Sequence, residues 1–403
     1  MWPPAVTGHD AGVIHIEAAD LFRESPAALP GRIAALAEAV AGCKVGVYVI
    51  DIDGSCLIRL AGDGAAFPEM INAPVGVGPE IALERIPALQ QICTSRLPAS
   101  VVVAMVARDR AIGLLVCERR PGDDLRRVAD QAALALELTS GYTDVVHAAR
   151  RRKEIQPAAE IQQNLLPPRL AEFDGDELAG GLLPGYDVAG DFFDYAANTD
   201  VVWLCVADAM GKGNDAAALS SLAVGALRAA RRGGATLEQA AGIVDRTVAA
   251  SGSDEVRFLT AILAQWHPDT STFRWITAGH PPPLLLHADG SADELTGAVT
   301  YPLGLLDDER TFTTNRRRLG RGERLLLYSD GVTERRRTDG TLLGLEGLQS
   351  LLRTIPATSA AEIIRDLHDA VIDASPEPLR DDATMLLLAP RGGRFRRAGG
   401  PRP

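Results

Sequence analysis

The sequence has little with which to build a disulfide or zinc framework. Its five cysteines, Cys43, Cys56, Cys93, Cys117 and Cys205, are scattered, with no CxxC pair and no histidine cluster beside them. Neither a disulfide scaffold nor a zinc site is indicated, and a reducing compartment is expected. Positive charge is in deficit as well. A formal net charge of −12 argues against nucleic acid as a general partner. No apolar run approaches the roughly 20 residues that a membrane-spanning helix needs; Val101 to Ala107 is among the longest. The opening residues, MWPPAVTGHD, lack the charged and apolar regions of a signal peptide. The expectation is a soluble, cytoplasmic protein with no membrane partner. What is abundant is apolar side chains: 46% hydrophobic against 23% charged over 403 residues, enough for two domains with sizeable cores.

The first part reads as helix, hairpin, irregular middle, hairpin, helix. Helical periodicity runs from Ser25 to Ala41. KVGVYVIDIDGSCLIRLAG (Lys44 to Gly62) then gives two strands around an Asp53-Gly54 turn. SVVVAMVARDRAIGLLVCER (Ser100 to Arg119) gives a second pair with a charged turn at Arg108 to Arg110, and DDLRRVADQAALALELTSGY a long amphipathic helix. A polar connector follows, HAARRRKEIQPAAEIQQNLLPP (His147 to Pro168). Pro157 cannot continue a helical ladder and biases Gln156 away from the helical region, so two helices meeting there are predicted rather than one rod. Ile155, Ala158, Ile161 and Leu165 are the expected apolar stripe of that segment.

From Gly180 the pattern changes to hairpin-connected strands with helices grouped between them. Thr236-Leu-Glu-Gln239 is a capping-box pattern, and Asn214 is an expected N-cap. Adjacent hairpins imply mostly antiparallel sheets, covered by the helices. The last residues, GGRFRRAGGPRP, read as a disordered Gly/Pro/Arg tail.

Aspartate at the end of an apolar strand recurs in this second part. Asp191 lies in DVAGDFFDY, Asp208 in VVWLCVADAMGKG, Asp330 in LLLYSDGVTE, and Asp381 with Asp382 in RDDATMLLL. Singly, each has an ordinary reading as a turn residue; Asp330-Gly331 is common turn chemistry. Together they suggest strand ends converging on a cation, because a buried carboxylate is costly without one. Hard oxygen donors without His or Cys select Mg²⁺ or Mn²⁺. Several carboxylates from separate strands can hold a metal pair that serves phosphoryl transfer. Gly211-Lys212-Gly213 is not a Walker loop, since the glycine spacing before Lys212 and the following Ser/Thr are missing. Lys212 reads as a turn residue able to meet substrate charge, His280 as a loop-fixing residue, and Asp194 and Tyr195 as strand packing.

Two resemblances sharpen this reading. Through VYVIDIDG, IGLLVCER and ADQAALALE, the first part resembles a GAF domain, which implies a sensor with a small-molecule ligand or a homodimer interface. Nothing between Phe67 and Cys93 identifies a ligand, so a purely packing role stays open. Through NLLPP, DVAGDFFDY, VADAMGKGNDAA, TAGHPPPLLL, PLGL, LLLYSDGVTE and DDATMLL, the second part resembles metal-dependent protein phosphatases of the PPM family, in their bacterial SpoIIE-type branch. The expected fold class is therefore α+β: a GAF-like sensor domain plus a PPM-type α-β-β-α sandwich of antiparallel sheets. The expected boundaries are an N-terminal extension at 1–14, sensor at 15–142, connector at 143–168, phosphatase domain at 169–390 and tail at 391–403.

The phosphatase resemblance implies two Mn²⁺ or Mg²⁺ ions and a phosphorylated serine/threonine protein substrate, an anti-sigma-factor antagonist in a partner-switching circuit. Carried over by motif, Asp208 would bridge both ions and Ala209 would offer its backbone carbonyl to the first. Asp191 would serve that first ion directly or through water, and Asp330 and Asp381 would hold the second. Asp382 would orient Asp381 or a water. The competing classes are a non-catalytic, partner-binding pseudophosphatase and a hydrolase of small phosphate esters.

Overall fold

In the computed structural model of the chain, residues 19–122, 124–184, 190–252, 256–305, 310–356 and 358–391 are described here. The expected extension at 1–14 and all but the first residue of the expected tail lie outside them. The N-terminal unit is built on a six-stranded antiparallel sheet. Strand Val45–Ile50 lies at its centre, between Cys56–Ala61 and Arg110–Cys117; the latter also pairs with Val101–Ala107 and Ile81–Ala82, and Met70–Asn72 forms the outer edge beyond Cys56–Ala61. All six residues of Val45–Ile50 are buried rather than alternating, because both faces of the sheet are covered. Helices Leu29–Ala41 and Leu125–Ser140 pack on Val47, Val49 and Leu115. On the other face, Tyr48, Ile50 and Leu114 meet Leu89 and Cys93 of helix Ile86–Arg96. That last helix lies within the stretch read from sequence as irregular. Its apolar spacing is weak and only two of its residues are buried, so the sheet face rather than its own pattern holds it.

The connector breaks as Pro157 requires. Helix Val145–Ala149 ends, Gln156 is extended, and helix Pro157–Leu165 starts with proline in its first turn. The buried face of this second helix differs from the expected stripe. Ala158, Ala159 and Gln162 point inward, whereas Ile161 is exposed. Arg152 fastens the connector to the N-terminal unit by ion pairs to Asp51 and Asp53.

The second unit is an α-β-β-α sandwich. One sheet runs Val299–Thr300, Thr272–Ala278, Leu259–His267, Val202–Ala209, Asp191–Ala197, with Asn315–Arg318 also pairing Thr272–Ala278. The other runs Ala292–Glu294, Leu284–Leu286, Arg324–Tyr328, Ala383–Ala389, Asp176–Leu183, Leu170–Phe173. Pairing is antiparallel except for Thr272–Ala278 against Val299–Thr300. Phe193, Leu204, Val206, Ile262, Trp266, Leu325 and Leu386 fill the space between the sheets. Helices Asn214–Arg232 and Leu237–Ala249 cover the first sheet, and Gly344–Thr354 and Ala360–Asp373 the second. The Thr236–Gln239 capping box forms in both directions. Asn214 is not the N-cap, however: Gly213, at φ +71°, takes that position and Asn214 begins the helix, since only glycine accommodates that backbone without strain. No helix among the described residues is long and apolar enough to cross a membrane.

Candidate metal-dependent hydrolytic site

The two sheets bring the sequence-predicted aspartates to one edge of the sandwich. Asp208 is the second-last residue of Val202–Ala209, and its register partner across the antiparallel pair is Asp191, the first residue of the neighbouring strand. From the other sheet, Asp330 follows strand Arg324–Tyr328 and opens a four-residue helical turn, while Asp381 and Asp382 immediately precede strand Ala383–Ala389. Asp330 and Asp381 both act electrostatically on Asp208. The aspartates are thus contributed by four chain segments, two from each sheet.

Depth separates their environments. Asp191 and Asp382 are buried, Asp330 is partly buried, and Asp381 has an exposed side chain. Burial, then the neighbouring Asp208 and Asp382, holds the Asp191 carboxyl well above its ordinary range. Burial, then Asp330 and Asp381, pushes Asp208 up to about 7, and burial raises Asp382 to about 6. Asp330 is raised by burial, then by Glu334 and Asp381. Crowded carboxylates without a counter-charge would rather be protonated than ionised.

The donors suit a hard divalent cation. Carboxylate oxygens dominate the donor set. Asp191 Oδ2 and Asp382 Oδ1 are buried without a hydrogen-bond partner. Around Gly190, where a Cβ would stand, the Ala209 carbonyl oxygen lies at 3.1 Å and Asp208 Oδ1 at 3.3 Å, so both oxygens face one small space. Among the described residues no three acidic, histidine or cysteine side chains close into a ready-made cage; like-charged groups stand apart until a cation offsets their repulsion. Acid should therefore compete with metal. Mn²⁺ affinity, titrated calorimetrically on the full chain, should fall about tenfold or more from pH 8 to pH 6, because protons occupy the oxygens the ion needs. Equal affinity at both pH values would contradict the clustered-carboxylate reading.

Gln162 and Ser220 escaped the sequence reading, and the structure gives other residues of this edge contacts beyond the roles read for them. Asp382 does not turn its carboxylate to Asp381. Its Oδ2 accepts from Gln162 Nε2 at 2.6 Å and from the backbone amides of Gly190 at 3.0 Å and Asp191 at 3.2 Å. It clamps the segment carrying Asp191, and only its own backbone amide reaches Asp381 Oδ1, at 3.1 Å. Gln162, fully buried on the connector helix, also donates to the Asp191 carbonyl at 2.9 Å. The signal was present: a polar residue in helical register with Ala158 on a face that had to be buried. Ser220 donates to the Gly190 carbonyl at 2.5 Å. Lys212 is more than a turn residue, since its Nζ donates to the Arg380 carbonyl at 2.6 Å and stands 3.4 Å from Asp381 Oδ2. Asp194 is buried against Arg228 and Arg231, which explains a carboxylate in mid-strand. Gly331 is more than a turn glycine too: a Cβ there would lie 1.8 Å from the Asp382 carbonyl oxygen, so the Asp330 turn could not pack against the neighbouring strand of its own sheet.

Residues 198–391 match the family model described as Stage II sporulation protein E (SpoIIE). The resemblance is to a phosphatase domain. Over 237 residues the chain is 26% identical to the phosphoserine phosphatase RsbU of Bacillus subtilis (strain 168), covering 59% of this chain and 70% of that protein. It is 28% identical over 271 residues to the protein IcfG of a Synechocystis species, covering 59% of this chain but 41% of that longer relative. Among solved structures, the SiaA-PP2C domain of Pseudomonas aeruginosa overlays 58% of this chain and 94% of that domain with a TM-score of 0.50 at 21% identity, a likeness of fold. Homology to a phosphoserine phosphatase supports phosphatase activity.

Proposed function

We propose that this chain is a serine/threonine protein phosphatase that works with two Mn²⁺ or Mg²⁺ ions and takes a phosphorylated anti-sigma-factor antagonist as substrate. In this reading the first unit is a GAF-like sensor that controls the second. The observation that carries the proposal is the convergence of Asp191, Asp208, Asp330 and Asp381 from both sheets on one edge, with the Asp191, Asp208 and Asp330 carboxyls held above their ordinary range and the Ala209 carbonyl beside them.

Asp208, with Asp191 and the Ala209 carbonyl on one side and Asp330 and Asp381 on the other, would hold the ions. When bound, such ions neutralise charge on a phosphoryl group and lower the pKa of water, so hydrolysis needs no covalent enzyme intermediate. The chain's own task is positioning. Asp382 and Gln162 fix the Asp191 segment, and Gly331 lets the Asp330 turn pack against the Asp382 carbonyl within the second sheet. Lys212 adds positive charge at the exposed rim, where the anionic substrate enters. His280 donates or accepts at Thr260 Oγ1 over 2.7 Å, and burial holds its ring far below the usual range, at about 3. A ring kept neutral in this way fixes a loop and is a poor proton donor at neutral pH.

The test is hydrolysis of p-nitrophenyl phosphate by the full chain with Mn²⁺, with Mg²⁺ and with excess chelator. Turnover should require metal, and a phosphoserine peptide should exceed free AMP by about tenfold or more in kcat/KM. Absence of turnover with either ion would leave the pseudophosphatase reading. Preference for AMP would make the enzyme a small-ester hydrolase instead.

A further inference from the structure

Where the N-terminal unit, the connector and the start of the second unit meet, they line a cavity of about 330 Å³. Val49, Ile112, Leu136 and Val146 give it an apolar wall. Its lining also carries Glu80, Arg110, Arg150 and Arg169. Glu80 lies 3.1 Å from Arg110 Nε and accepts from the Leu170 amide at 2.9 Å, and Arg110 also reaches Glu137 at 2.7 Å. Arg150 and Arg169 have no such partner. Arg150 donates to the Ile112 carbonyl at 3.3 Å and Arg169 to the Gln163 amide oxygen at 2.5 Å, and among the described residues neither forms an ion pair. Burial holds both guanidiniums below their ordinary range, Arg169 at about 10. Arg151 pairs with Glu160 in the same lining, so four guanidiniums against the carboxylates of Glu80, Glu137 and Glu160 leave one positive charge facing a partly open, half-apolar space. Such a charge is costly unless an anion answers it.

We propose that this joint is a binding site for a small organic carboxylate, with its head group on Arg150 and Arg169 and a flat apolar body against Ile112, Leu136 and Val146. A surplus of one charge favours a monoanion, and the planar guanidinium forks match a carboxylate. The volume falls in the range of small-molecule sites. The ligand would touch all three parts of the chain at once. Through Arg169 and Gln163 it would also bear on the helix whose Gln162 holds Asp191 and Asp382.

Calorimetric titration of the full chain with benzoate, and with neutral benzamide, tests the site in excess chelator. Without metal the aspartate cluster offers benzoate no cation, so the result does not depend on the phosphatase reading. Benzoate should bind saturably with a Kd below about 1 mM, and benzamide at least about tenfold more weakly. Arg150→Gln should weaken benzoate about tenfold or more. Ile155→Trp, which fills the cavity and removes no charge, should abolish binding. Absence of saturable heat with benzoate up to about 10 mM, or affinity unchanged by both variants, would overturn the proposal.

Discussion

Asp208→Asn should lower metal-dependent turnover at least about a hundredfold, because it removes one of the oxygens that two cations would share. The same substitution should raise the melting temperature of the chelated protein at pH 8. Asp208 is pushed up to about 7 by burial and by Asp330 and Asp381, so its ionised form is disfavoured in the fold. The sign follows from linkage. A carboxyl whose folded pKa is raised above the ordinary value adds stability below that ordinary value and loses it as pH climbs through the folded one, here from about 4 to about 7. Asparagine removes the charge and with it the penalty at pH 8. Opposite signs for stability and activity mark a functional carboxylate. Turnover within about tenfold of the parent would sink the bridging role, and an unchanged or lower melting temperature would show that no repulsion had been stored there.

Gln162→Leu should weaken Mn²⁺ binding and turnover about 10- to 100-fold, the usual cost of losing a group that orients a metal's ligands. Gln162 makes hydrogen bonds of 2.6 Å to Asp382 Oδ2 and 2.9 Å to the Asp191 carbonyl. Leucine keeps the volume but leaves the Asp191 carbonyl buried and short of a donor, at a stability cost of roughly 1–3 kcal/mol. Calorimetric titration with Mn²⁺ separates the two effects, since a purely structural residue would change the melting temperature and leave metal affinity alone. Affinity within about twofold of the parent would remove Gln162 from the site. If the prediction holds, the connector helix reaches the metal ligands directly, and any force on that helix from the first unit becomes a force on Asp191. Pro157 then serves as a joint. It starts a short helix that can shift on its own rather than as part of a continuous rod.

Local chemistry carried much of the second unit. Asp208 and Asp330 close apolar runs as read, whereas Asp191 opens its strand and Asp381 and Asp382 precede theirs; a charge beside an apolar run is conspicuous in sequence, but which end of the strand it marks is not. The capping box at Thr236 and the break at Pro157 were legible for the same reason: each depends on residues within four positions of itself. Asn214 misled because its side chain suits a cap, while the backbone at Gly213 demanded φ +71°. The helix Ile86–Arg96 was invisible because its order comes from the sheet it covers.

What the sequence offered by itself was a proposed donor set, Asp191, Asp208, Asp330 and Asp381, all hard oxygen and all beside buried strands, and hence the class of ion such donors suit. The tertiary structure alone decided which face of each segment meets another. Gln162 became a partner of residues 29 and 220 positions away, Asp382 turned to the Gly190 and Asp191 amides rather than to Asp381, and four arginines from three segments gathered around one cavity. Periodicity fixes which side of a helix or strand is apolar, but a polar group's partner is set by packing between distant segments, and no local pattern encodes it.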